Sequence, residues 1–199
     1  MQHVPQQVVP PATLPVTFEE ARHWARLEPE DVTDPESGDG IVLALAMASA
    51  VAHLDGYEGV LGRCIVAQQW RELFPRFGSP MGLRLPPIIS VESVDYYAVD
   101  ATERTVLDPS QYEHGETAAG PFVRLRKGVT APETDNRDDA VQITYSAGYE
   151  TVPPPLKSAI LSLVAHRYEH REAVVNGEPV EVPLSVDYDL RPYRRTTIA

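Results

Sequence analysis

Apolar residues change their spacing twice along the chain, and the changes mark its elements. "VTFEEARHWARLE" places Phe18, Ala21, Trp24, Ala25 and Leu27 at helical spacing and leaves Glu19, Arg22, His23 and Arg26 for solvent. Thr17 with Glu20 three residues on is a capping box, which satisfies two otherwise orphan backbone donors, so a first helix is predicted over about 17–28. "GIVLALAMASAVAHL" predicts a second helix over about 40–56, with Ile41, Leu45, Ala48 and Ala52 on one stripe. Ala44, Ala46, Ser49 and Ala50 keep its other faces thin enough for close helix packing. A third helix, about 155–175, follows "TVPPPLKSAI", where Pro155 occupies a first turn that needs no N–H. Leu156, Ile160, Leu163 and Val164 form its stripe, and Leu161, Ala165 and Tyr168 carry apolar surface round the side, so it must touch more than one neighbour.

Between the second and third helices the period falls to that of strands. "CIVAQQWREL", "IISVESVDYYAV", "TVLDPSQYEH", "FVRLRKG" and "AVQITYSAGY" are short Val-, Ile-, Tyr- and Phe-rich runs broken by Pro, Gly and Asp turns, the mark of an antiparallel β lobe. The predicted class is α+β: a small helical bundle (17–62 and 153–176) with an inserted β lobe (63–152). An extended, glutamine- and proline-rich arm precedes it (1–16) and a proline-spaced arm comes after it (177–199). "EPEDVTDPESGDG" reads as a solvated acidic loop, since it holds too little apolar surface to offset its own ordering.

Charge narrows the function. With 29 acidic against 17 basic side chains and a net charge of −12, the surface does not suit a protein that grips nucleic-acid phosphates. One cysteine, Cys64, forms no internal disulfide and suits a reducing compartment; at the start of an apolar strand it reads as a small buried hydrophobe. The N-terminus lacks the basic start and apolar run of a secretion signal, and the second helix falls short of the roughly 20 residues a bilayer span needs. No membrane role is expected.

One motif carries possible chemistry. His166, Glu169 and His170 stand as H-x-x-E-H, a zinc-peptidase spacing; the two histidines are about 40° apart on a helix and could share a metal. A catalytic zinc needs a third ligand and an open position, and the candidates beyond, Glu172, Glu178 and Glu181, sit at the helix end or in the tail. The simpler reading is a polar helix face. P-loop, dinucleotide and nucleophile-elbow motifs do not occur in the sequence. Asp95, Tyr96 and Tyr97 are read as strand packing rather than a carbohydrate platform. No cofactor is expected.

The order of signals resembles the head-tail connector, or adaptor, proteins of long-tailed bacteriophages and of the gene transfer agents derived from them. The resemblance covers about residues 13–194. It is carried by "LPVTFEEARHWARLE", by "DGIVLALAMASAVAHLDGYEGVLGRCIVAQQW" with Gly62-Arg63 and Gln69-Trp70, and by "LPPIISVESVDYYAVDATERTVLDPSQY" ending on Tyr112. The strongest stretch is "VQITYSAGYETVPPPLKSAILSLVAHRYEHREAV", where Tyr145, Ala147, Gly148, Tyr149, Pro153, Ala159, Ile160, Tyr168 and Arg171 fall where that family places them. The acidic loop is longer, and the N-terminal arm richer in Gln and Pro, than the family pattern.

The resemblance implies a non-enzymatic structural protein of a virion or virion-like particle, assembled in the host cytoplasm. It would form a ring of about twelve copies beneath the portal protein and extend the DNA channel toward a stopper or other tail-neck protein. Ile41, Leu45, Ala48, Leu156, Ile160, Leu163 and Tyr168 are the expected ring-packing residues, and Tyr188, Leu190, Arg191, Pro192 and Tyr193 the expected portal-docking residues. Surplus negative charge suits a wall past which DNA slides without sticking. Two rival readings remain: a zinc-dependent hydrolase using His166, Glu169 and His170, and another neck component such as a stopper or tail-completion protein.

Overall fold

The structure, a computed structural model, describes residues 3–30, 32, 34–36, 38–170, 174–175, 178–179 and 184–195. The fold is α+β, and the chain divides into two compact units. One, helical, is built from Thr13–Ile65 and Thr151–Thr196; the other, β-rich, from Val66–Glu150 with the N-terminal residues to Ala12.

The helical unit holds α1 (Phe18–Trp24), α2 (Asp39–Leu54), α3 (Pro154–Glu169) and α4 (Leu184–Leu190), the last running into a 3-10 turn, Arg191–Tyr193. The predicted capping box is present: Glu20 N–H donates to Thr17 Oγ1 at 3.1 Å and Thr17 N–H to Glu20 Oε2 at 2.8 Å. Helix α1 ends four residues before the expected 28, because Arg26 adopts the left-handed φ of 56° and Leu27 N–H turns back to Arg22 O. Its faces also differ from expectation. Arg22 is buried against Glu19, while Trp24 is 47% exposed.

Helix α3 touches α1, α2 and α4, which explains its wide apolar girth. It stops at Glu169, short of the expected 175: His170 closes it, with N–H to His166 O at 2.9 Å. The acidic segment is anchored, where a purely solvated loop is expected, because Val32 is fully buried in its middle. Gly40 explains how tightly it lies on α2: a Cβ there would stand 1.7 Å from Asp34 O. Glu28, Glu30, Asp34 and Glu36 remain exposed. Cys64 and Ile65, expected in a strand, are buried in the helical unit, where Ile65 N–H donates to Asp55 Oδ1 at the C-cap of α2.

Among the described residues the β unit has two antiparallel sheets. The larger has the order β1 (Gln6–Val9), β2 (Gln68–Phe74), β8 (Val141–Ala147), β4 (Ile88–Tyr96), β5 (Thr105–Val106). The smaller has the order β3 (Met81–Gly82), β7 (Gly120–Leu125), β6 (Tyr112–Thr117). In β8, Val141, Ile143, Tyr145 and Ala147 are buried and alternate with Gln142, Thr144 and Ser146, so one face of the sheet is core and the other open. Trp70 pairs with Tyr145, and Val94 with Ile143, across that core face. The carboxylate of Glu72 is buried there too, accepting from Tyr145 OH and from Arg84 N–H, both at 2.7 Å.

Both expected arms carry regular structure. The N-terminal one supplies β1, hydrogen-bonded to β2. In the C-terminal one, residues 184–190 are helical where an extended chain is expected, since Val186 and Leu190 at i, i+4 bury one stripe. Before it, β9 (Val174–Val175) pairs with β10 (Glu178–Pro179).

Candidate functional site: assembly surfaces

The predicted ring-packing residues separate into two groups. Leu156 and Ile160 are fully buried and Leu163 is 4% exposed, so these side chains of α3 are consumed in the chain's own core and offer nothing to a neighbour. Tyr168 is half-buried. On α2 the reverse holds. Leu43, Met47, Ala50, Val51 and Leu54 face inward, which turns Ile41 (51% exposed), Leu45 (69% exposed), Ala48 and Ala52 to the outside. Their 4-3-4 spacing is that of a coiled-coil seam, a run of apolar side chains along one helix edge with small residues that admit a close partner.

The predicted docking residues also divide. Leu190 is buried on the inner stripe of α4, and Tyr193 lies under the guanidinium of Arg63, 5.8 Å from the ring centroid. Arg195 N–H donates to Leu61 O at 3.1 Å, so the turn after α4 is fastened to the loop after α2. Tyr188 is 79% exposed, and Arg191 and Pro192 are exposed. Leu184, 87% exposed and one turn before Tyr188, joins them. Sequence reasoning omits Leu184 because the segment reads as an extended arm; its i, i+4 relation to Tyr188 in "LSVDYDL" is the signal that names it.

The H-x-x-E-H group lies on the last turn of α3. The His166 and His170 rings stand 4.9 Å apart, and His170 Nδ1 lies 3.2 Å from His166 O, within the chain's own last helical turn. Burial, and then the neighbouring His170, hold the His166 pKa below its usual value. Among the described residues, no group of three or more His, Cys, Asp or Glu side chains is placed to hold a metal ion. Arg171, Glu172 and Glu181, which the sequence singles out near this motif, lie outside the described residues. The tyrosines of β4 and its turn are packing partners: Tyr96 meets Phe77 edge-on at 5.5 Å, and Tyr97 carries the guanidiniums of Arg104 at 4.3 Å and Arg137 at 3.9 Å. Among the described residues no helix is long and apolar enough to cross a membrane.

No family model matches the chain, and no curated protein does. Solved structures do. The chain is similar to one in the neck of an empty gene transfer agent particle computed with C6 symmetry, at a TM-score of 0.75 and 18% identity, covering 99% of this chain and 98% of that one. A chain of the virion of a native gene transfer agent particle matches at 0.76 and 17%, with the same coverage. A chain in the neck of a native particle computed with C12 symmetry matches at 0.73 and 18%, again over 99% and 98%. At such identities it is the fold that is shared, and it is shared over nearly the whole length of both chains: this protein has the fold of a chain from the necks of gene transfer agent particles.

Proposed function

We propose that the protein is a non-enzymatic structural adaptor of the neck of a phage or gene transfer agent particle. Copies form a ring, of about twelve, under the portal protein, extend the DNA channel and join the capsid vertex to the tail. The observation that carries this reading is the outward seam of α2: Ile41, Leu45, Ala48 and Ala52 form an apolar stripe that a solitary chain would leave wet. The likeness to neck chains, two of them from structures computed with C6 or C12 symmetry, supports placing a second copy against it. DNA passes through without specific binding, because the net charge of −12 repels its phosphates.

The portal contact is assigned to the outer stripe of α4 and the turn after it: Leu184, Tyr188, Arg191 and Pro192. An exposed leucine, an aromatic ring and a cation in one short run make a compact anchor. Leu190 and Tyr193, which the sequence also nominates, hold this anchor to the body of the chain. Truncation at Val186 would remove buried Val186 and Leu190 as well, so point changes are the cleaner test. The Leu184→Ala, Tyr188→Ala double variant, folded by circular dichroism, is expected to lose co-sedimentation with purified portal; undiminished binding would refute the assignment.

A further inference from the structure

Helix α4 carries the assigned portal contact, yet at seven residues it is too short to keep its place unaided. Its inner stripe, Val186 and Leu190, is buried, and the helix packs on α3. A single apolar stripe decides which side faces inward. Tilt and slide are left to other contacts, so the direction in which Tyr188 and Arg191 point depends on a second hold at the end of the helix.

The loop after α2, residues 55–65, supplies that hold, and it is itself closed onto α2. Gly56 N–H donates to Arg63 O at 2.8 Å, Val60 N–H to His53 O at 3.0 Å, and Ile65 N–H to Asp55 Oδ1 at 2.6 Å. Gly62 turns the loop with a left-handed φ of 61°, where a Cβ would stand 3.6 Å from Arg195 Cβ, so the loop and the end of the described chain run side by side. Arg195 N–H donates to Leu61 O at 3.1 Å. The Arg63 guanidinium lies over the Tyr193 ring, 5.8 Å from its centroid, within reach of a cation–π contact. From the next residue, Arg194 Nη2 returns to Asp187 Oδ1 at 2.7 Å, one place before Tyr188. A chain of holds thus runs from α2 through Arg63 and the turn after α4 to the outer face of that helix.

We propose that Arg63 is a positioning residue for the portal contact: its guanidinium, over Tyr193, holds the turn after α4 so that Tyr188 and Arg191 stand in the orientation that portal binds. This rests on the docking assignment and adds to it a residue that acts from within the chain. A cation–π contact supports about a two- to fivefold preference for the held orientation, and affinity falls as the competent fraction falls.

Portal affinity is measured with the full-length chain and purified portal, and amide exchange is followed on the same samples. Arg63→Ala and Tyr193→Leu are each expected to weaken binding about two- to fivefold. The double variant should be no worse than the weaker single one, because both changes remove one contact. Arg63→Lys, which keeps a cation over the ring, should restore most of the affinity. Exchange should quicken over residues 185–190 and stay unchanged over 156–164 in α3, a pattern that general loss of stability does not give.

If Arg63→Ala and Tyr193→Leu bind like the unsubstituted chain while Leu184→Ala, Tyr188→Ala loses binding, the positioning role is overturned and the docking assignment stands. Losses that simply add in the double variant, or exchange that quickens equally in α3, overturn it as well. If the Leu184→Ala, Tyr188→Ala chain binds undiminished, the docking assignment fails and the positioning role falls with it.

Discussion

Gly148 occupies φ 134°, a conformation side chains rarely adopt, and a Cβ there would lie 2.4 Å from the carbonyl of Val66. Its N–H donates to Pro87 O at 2.9 Å, so this one residue links the end of β8 to the chain before β2 and before β4. Gly148→Ala is expected to destabilise the protein by about 3 kcal/mol or more, since both backbone strain and a backbone collision oppose it; urea denaturation measures this. "YSAGY" is among the stretches that carry the family resemblance, but the reason for its glycine is visible only in three dimensions. Glu20 acts through charge. The backbone N–H of Thr17, then Lys157 Nζ at 2.9 Å, hold its carboxyl below the usual range. A lowered folded pKa means that the stabilisation is fully present above the unfolded value of about 4.3 and is lost as pH falls through the folded one. Glu20→Ala should therefore cost about 1 kcal/mol at about pH 7 and progressively less below about pH 4, read as a converging pair of melting temperatures; a constant gap across that range would contradict it.

At the scale of elements, α1, α2, α3 and the main strands of the β lobe follow from periodicity, capping and turn residues, because those signals are local. What the sequence conceals is direction. The α2 stripe is legible as Ile41, Leu45, Ala48 and Ala52, yet a helix apolar on two faces does not reveal which one its own chain covers; in the structure α2 packs on α3 and α1, and Leu43 and Met47 are on its buried side. The same ambiguity makes Leu156, Ile160 and Leu163 look available when they are core. Short amphipathic pieces are hidden for a related reason: α4 is seven residues long amid prolines and acids, and its burial of Val186 and Leu190 depends on α3. The outward seam makes a sharp prediction. Leu45→Glu alters a side chain 69% exposed, so the monomer's melting free energy should change by no more than about 0.5 kcal/mol. Native mass spectrometry of complexes on portal should show the ring lost. A stable ring formed by the Leu45→Glu chain would move the lateral contact elsewhere.

On the scale of the whole molecule, the chain brings together features that suit an assembly component. It has an outward apolar helix seam, exposed Leu184, Tyr188 and Arg191 on and just after α4, an exposed N-terminal strand and an excess of acidic side chains. Most of the fold class is readable from sequence because helix and strand periods are local signals, and the solved chains of gene transfer agent particles share the fold at 17 to 18% identity. The surfaces are less so, since exposure is a property of the packed chain. The most direct test of the adaptor reading is cryo-electron microscopy of purified particles carrying this chain, with its copy number determined by quantitative mass spectrometry. A ring of this chain at the neck, beneath the portal, with about twelve copies per particle is expected. Particles whose neck is complete without it would contradict the account.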